Sequence, residues 1–330
     1  RRPATPRCSE DDGGWQRWAD KNGVTAPKLA VRLPTAEERG KSGVSAAEAI
    51  AELEVAARIP RELVVSCTTP ASSASWPADL TAAALEARWG GNGALRTWVE
   101  SWSAGGWATD SVDLGADDVR FGARDVIGSL LSTGSDLDQE IYKKFGLKCH
   151  PVVHRAAKGL SMLTRCDEGA ARGALVLRGS IYRAMRDELF ALVEVPTERK
   201  GSLRERRCWD VADMLSRVLS RATTLALDGE GASCAIVPLH ERLAHSGPRG
   251  ENVKLVCDPV DGEHVLLVAT RAIGAGEELT RDYDEAPRLP GDETDGALRL
   301  LVQFGLPPAA WPEAGWAGPM GGYAEGEAEV

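Results

Sequence analysis

Gly274-Ala275-Gly276-Glu277-Glu278-Leu279-Thr280-Arg281-Asp282-Tyr283-Asp284 is the stretch whose reading decides the fold. Upstream of it, CAIVPL, VKLVC and HVLLVATRAI are short runs rich in apolar and β-branched residues, each closed by Gly, Pro or Asp. That punctuation reads as short strands joined by tight turns. The Gly-Ala-Gly turn then leads into one more short polar-apolar run that ends at Tyr283.

Outward from this stretch the pattern changes. Between about Asp79 and Leu225 the sequence is helical in character: LTAAALEARW, ALRTWVESW, DDVRFGARDVIGSLLS, IYRAMRDELFALVEV and CWDVADMLSRVLSRATTLAL carry apolar residues at helical spacing. Before that block, from Leu29 to Val65, β-like runs return as LAVRL, ARIP and LVVS around a Gly/Ser turn at GKSG. Strands thus bracket a helical block, which predicts an α+β fold of small sheets interrupted by a long helical insert. The expected divisions are a flexible arm over 1–14, a strand-rich part over 15–78, the insert over 79–207, a second strand-rich part over 208–286, and a helix with a Pro/Gly/acid-rich tail over 287–330. A tryptophan of that tail is expected to dock back on the body.

Bulk properties limit the function classes. With 330 residues, 43% of them hydrophobic, the chain can bury a core. The 39 basic against 49 acidic residues give a net charge of -10, which disfavours non-specific attraction to nucleic acid and suits a basic protein tail as partner. Seven cysteines without any CxxC pair predict reduced thiols, neither a zinc ribbon nor a disulfide scaffold. No run approaches the roughly eighteen consecutive apolar residues of a membrane span, so no membrane contact is expected. The first residue is Arg1, and the basic start RRPATPR is read as the mark of a processed or truncated chain, with a plastid, the cytoplasm or the nucleus as possible compartments. The expected oligomeric state is a monomer.

The segment Val237 to Tyr283 resembles the carboxyl half of a SET domain. In that family a proline-led strand, an Asn-His pair, a short loop with another Asn, a strand pair and a Gly-Glu-Glu-Leu turn lead to a tyrosine. Here the corresponding pieces are VPLHERLAHS, Glu251-Asn252-Val253, two strands and GAGEELTRDYD. Gly43-Val44-Ser45-Ala46 followed by ARIPRELVVS looks like the amino-terminal SET strand pair. Trp209 followed by Ser216-Arg217-Val218-Leu219-Ser220-Arg221 is similar to the helix preceding the Asn-His strand in the plant Rubisco large-subunit lysine methyltransferase branch, where a helical insert splits the SET strands. The matches cover about 200 of 330 residues, and the helical substrate-docking domain of that branch has no counterpart in this sequence.

The resemblance implies a protein-lysine N-methyltransferase using S-adenosylmethionine, with threading of distant strands into one site. Tyr283 would be the catalytic residue, at the junction of lysine channel and cofactor. Gly43, Ser45, Arg217, Ala244, His245 and Tyr283 would contact the cofactor, with Arg217 gripping its carboxylate through two bonds. Ser220, Arg221 and Phe304 would line the substrate channel. The partner is a lysine-bearing protein. The chemistry explains such a site: methyl transfer is an in-line displacement, so catalysis consists mostly of holding a neutral amine and the methyl group collinear in a dry channel. A lysine of ordinary pKa must first lose its proton, at about 4 to 5 kcal/mol at pH 7, unless desolvation and nearby positive charge assist.

Three positions depart from the family pattern. Ala244 replaces the Asn of the Asn-His pair, Lys41 stands where the first glycine of the G-x-G turn would be, unless Gly40 supplies it, and Phe304 replaces a channel tyrosine. These departures keep a second reading open, a catalytically weak SET-derived protein-binding module. Each site residue also has a plain structural reading: Tyr283 as an aromatic at a strand end, His245 as a buried histidine, Arg217 and Arg221 as helix arginines facing water. Other groupings weigh less. His150 and His154 are four apart, but Pro151 argues against a regular helix there, so no metal is expected. Ser233-Cys234 reads as a turn, and the RKGSLRERR cluster as a solvated face.

Overall fold

A computed structural model describes residues 12–32, 43–90, 92–102, 112–113, 120–121, 151–192, 203–226, 231–246 and 250–304. The chain divides into two compact units. The first comprises Arg1–Ala71, Ala87–Trp102 and Arg221–Pro287, and the second Ser72–Glu86, Ser103–Ser220 and Arg288–Val330. Residues 87–102, expected in the insert, fall in the first unit, and 72–78 and 208–220, expected in the strand-rich parts, fall in the second.

The first unit holds helices α1 (Asp12–Lys21) and α3 (Gly93–Ser101), the end of α2 (Trp76–Trp89), and strands β1 (Leu29–Arg32), β2 (Gly43–Ala46), β3 (Val55–Pro60), β4 (Val65–Pro70), β7 (Thr223–Leu225), β8 (Ser233–Ile236), β9 (Ala244–His245), β10 (Val253–Cys257), β11 (His264–Ala269) and β12 (Glu278–Arg281). They form three small sheets ordered β1-β2-β12-β9, β10-β11-β3 and β4-β8-β7. The α+β expectation therefore holds. Helix α1 starts at Asp12, inside the span expected as an arm. Ser233-Cys234 opens strand β8 and is not a turn.

The GAGEEL run explains how the first sheet is joined. Gly276 adopts φ 82, a left-handed conformation that glycine reaches without steric cost. Its N–H donates to the Ala46 carbonyl at 2.7 Å, and the Ala46 N–H donates to the Glu277 carbonyl at 2.8 Å, so the turn is stitched to β2. The Glu277 carboxylate accepts from the Gly274 N–H and pairs with Arg271, which holds its pKa below the ordinary value. Glu278 then lies over Gly43, where any Cβ would meet its carboxylate. Leu279 enters the core beside Val44, Leu243 and Val253.

Strand β12 is the centre of the arrangement. Glu278 and Leu279 pair antiparallel with Ser45 and Val44, while Thr280 and Arg281 pair parallel with Ala244 and His245. Segments about 200 residues apart thus meet on one four-residue strand. Asn252, 1% exposed, completes the pairing: its amide donates to the Glu278 carbonyl at 2.9 Å and accepts from the Thr280 N–H at 2.8 Å.

The second unit contains most of α2, the two-stranded pair β5 (Val112–Asp113) and β6 (Arg120–Phe121), and helices α4 (Pro151–Thr164), α5 (Glu168–Ala191), α6 (Leu203–Arg221, its last residue in the first unit) and α7 (Gly296–Phe304). Arg120 and Phe121 are strand where the sequence reads as helix. Pro151 is the first residue of α4, where its missing N–H costs nothing, so a regular helix does carry His154. His150, the Lys41 turn and the tryptophans at 311 and 316 lie outside the described residues. Inside this unit the buried Arg178 guanidinium grips Asp292 and the Ala174 carbonyl.

Replacing Asn252 by alanine removes the side-chain partner of both the Thr280 N–H and the Glu278 carbonyl. The expected loss is about 2 to 3 kcal/mol, read as a lower urea midpoint with an unchanged slope.

Candidate active site

The sheet β1-β2-β12-β9 brings five of the sequence-predicted residues together. Gly43 and Ser45 lie on β2, Ala244 and His245 on β9, and Tyr283 follows β12 after Asp282, opening a short 3₁₀ turn, Tyr283–Glu285. The His245 and Tyr283 rings lie 4.9 Å apart, and the Tyr283 backbone N–H donates to His245 Nδ1 at 3.3 Å. An accepting Nδ1 leaves the ring proton on Nε2. Burial pushes the His245 pKa below its ordinary value, with Asp282 and Asp284 opposing, so the ring is neutral at pH 7.

The Tyr283 hydroxyl donates to the Leu243 carbonyl at 2.9 Å. With its proton committed there, the oxygen acts as an acceptor, and the Arg281 guanidinium is a hydrogen-bond partner to it. Ala244 gives the sheet its backbone and no side-chain hydrogen bond. Strand β9 is the edge of its sheet, and no described strand pairs its other side.

Four of the sequence-predicted residues sit otherwise. Arg217 and Ser220 (α6) and Phe304 (α7) belong to the second unit. The Arg217 guanidinium contacts Asp213 at 3.1 Å on its own helix, and the Ser220 hydroxyl donates to the Arg217 carbonyl at 3.0 Å. Phe304 is buried, with Arg299 5.8 Å from its ring centre. Arg221, in the first unit, is buried with its guanidinium 5.7 Å from the Trp102 ring centre, so it does not face water.

Two residues that the sequence reading passed over stand out. Arg281 is 4% exposed, with its guanidinium 4.6 Å from the centre of the Tyr283 ring and a long bond of 3.5 Å to the Ala222 carbonyl. Burial pulls its pKa below the ordinary value, though an arginine remains a cation. Strand alternation explains the placement: residues two apart share a face, so a strand that buries Leu279 also buries Arg281. His240 is 5% exposed, and its Nδ1 has no hydrogen-bond partner. Burial, then the charge of Arg281, drives its pKa well below the ordinary value. It opens a 3₁₀ turn, His240–Arg242, entered through Leu239 at φ 72 and ψ -49, a strained conformation for a non-glycine residue. That turn is anchored by Glu241, which accepts from the Trp98 indole at 2.9 Å and lies 3.3 Å from Arg242.

Asp258, Asp261 and His264 cluster at the turn joining β10 to β11, and the Arg58 guanidinium reaches both carboxylates, at 2.8 and 3.0 Å. Positive charge is already supplied there. The five cysteines among the described residues form no disulfide, and burial raises the Cys234 thiol to about 12.

Among solved structures, the chain is similar to the SET domain of LSMT bound to lysine and AdoHcy, with a TM-score of 0.46, 14% identity, and coverage of 92% of this chain and 58% of that one. It is also similar to Rubisco LSMT bound to AdoMet, with a TM-score of 0.43, 13% identity, and coverage of 90% and 56%. The chain thus spans less than two thirds of the length of either. No protein-family model and no curated protein matches it.

The two neutral histidines predict a stability that depends on pH. The unfolded chain takes up protons on both near pH 6.5, whereas the native state resists until lower pH. The contribution is therefore complete above about pH 6.5 and declines as pH falls below it. The urea midpoint should drop between about pH 7 and 5.5, and His240→Gln should flatten that drop; an equal slope in the variant would place the effect elsewhere.

Proposed function

We propose that the chain is a SET-type protein-lysine N-methyltransferase using S-adenosylmethionine. The observation that carries this reading is the convergence of β2, β9 and the Tyr283 turn on β12, with the tyrosine hydroxyl committed to the Leu243 carbonyl.

The residues present fit the cofactor in part. The open edge of β9 offers backbone donors and acceptors, and the neutral His245 ring walls the site beside Tyr283. Ala244 contributes one polar contact fewer than asparagine would, a difference of about 1 to 3 kcal/mol, or roughly ten- to a hundredfold in affinity. When bound, S-adenosylmethionine supplies an electrophilic sulfonium methyl. The chain's own contribution is positional. Tyr283 Oη, its proton held by Leu243, accepts from the amine and orients its lone pair, while the buried surroundings exclude water and favour the uncharged amine. The same oxygen would offer electron density to the methyl of a bound cofactor.

Ala244 favours the second reading, a SET-derived protein-binding module, and one experiment separates the two. Titration calorimetry with S-adenosylmethionine up to millimolar should show binding, and radiolabelled cofactor should mark a protein lysine in extract. No binding at that concentration would select the module. Tyr283→Phe should reduce methyl transfer about 100-fold or more while the cofactor dissociation constant stays within a few-fold. An unchanged rate in the variant would remove Tyr283 from the site.

A further inference from the structure

Beside Tyr283, within the first unit, a pocket of ≈ 80 Å³ opens between strands β7 and β10. That volume holds several waters, the size of a side chain and too small for a nucleoside. The exposure of its lining residues sorts them by depth. Arg281 and His240, at 4% and 5%, form the floor. Glu251, Asp282 and Glu285 are more exposed and form the mouth, together with Lys254.

The mouth carries three carboxylates against one ammonium. Lys254 is shared between two of them, 2.9 Å from Glu251 and 3.4 Å from Glu285. Asp282 spends one oxygen on the Asp284 N–H and keeps its negative charge toward the opening. The floor is the reverse. It bears the Arg281 cation and the neutral His240 ring, whose buried Nδ1 has no partner and needs a hydrogen-bonding group to satisfy it. A cation is therefore attracted to the mouth, and only an uncharged polar group is tolerated at depth.

We propose that this pocket is the docking point of a basic protein segment, with Glu251, Asp282 and Glu285 holding the positive residues that flank the side chain entering it. Lys254 is then an internal competitor for the same carboxylates. The inference rests on the methyltransferase reading for the fate of the entering side chain, and its test does not.

The probe is a fluorescent octapeptide with one lysine flanked by arginines, compared by anisotropy with versions carrying glutamine or glutamate at the arginine positions. Full-length chain should bind the arginine version at least about tenfold more tightly than the glutamine version and should reject the glutamate version. The triple variant Glu251→Gln, Asp282→Asn, Glu285→Gln should lose that preference. A control triple at exposed positions of the same unit, Glu48→Gln, Glu52→Gln and Glu62→Gln, makes the same change in net charge and should keep it. Lys254→Met, at a half-exposed site on β10, should tighten arginine-peptide binding several-fold, with an unchanged urea midpoint confirming that the variant folds. Equal losses in both triples, or no tightening on removing Lys254, would overturn the assignment. Peptide discrimination without cofactor binding would leave the pocket standing and sink the transferase, and methyl transfer indifferent to the flanking arginines would do the opposite.

Discussion

The pairing of β12 with β2 on one half and β9 on the other is the constraint from which the rest follows. A four-residue strand has few hydrogen bonds to give, and here they are divided between partners from opposite ends of the sequence. Such long-range closure is entropically costly and has to be held by local devices. Three supply it. Gly276 turns the chain without strain, the bare Cα of Gly43 leaves room for Glu278, and the buried amide of Asn252 occupies backbone groups of β12 that no strand reaches. Because β12 is fixed at both edges, the residue that leaves it, Tyr283, has one direction to go. Its hydroxyl and backbone N–H are both engaged with β9 or the residue before it.

Fixing the strand also fixes its faces. Leu279 must be buried to close the core, and period-two alternation commits Arg281 to the same side. A buried guanidinium is expensive unless compensated. The face of the Tyr283 ring offsets part of that cost. Burial, with the same charge added to it, keeps His240 neutral. Polar groups buried at such a cost, next to a strained Leu239, mark a place where the fold serves something other than stability.

The strand-rich halves and the helical block were legible because alternation, turn residues and helical spacing are local signals. LAVRL, VKLVC and HVLLVATRAI all became strands, and GAGEEL became the turn into β12. The convergence of Gly43, His245 and Tyr283 was legible only through the family pattern, since no local rule tells one strand which distant strand it will meet. Arg281 and His240 were passed over for a different reason: in sequence a charged residue reads as solvent-facing, and only the alternation from Leu279 could have placed Arg281 inside. Helix α4 illustrates the converse error, a proline read as a helix breaker when it is the residue that starts the helix.

The opposed charges of floor and mouth bear on the central difficulty of lysine methylation. An ammonium must give up its proton before it can attack, at about 4 to 5 kcal/mol at pH 7. A fixed guanidinium about 6 Å from an amine, at an effective dielectric of about 20, disfavours the protonated form by about 3 kcal/mol. That one charge would supply more than half of the requirement before desolvation adds its share. On the proposed reading, the carboxylates at the opening would do the opposite, drawing a protonated lysine in from water, and attraction and deprotonation would be separated along the depth of one pocket. In this chain the polar residues at the floor, which as packing would only weaken the core, are the part of the sheet best suited to that division.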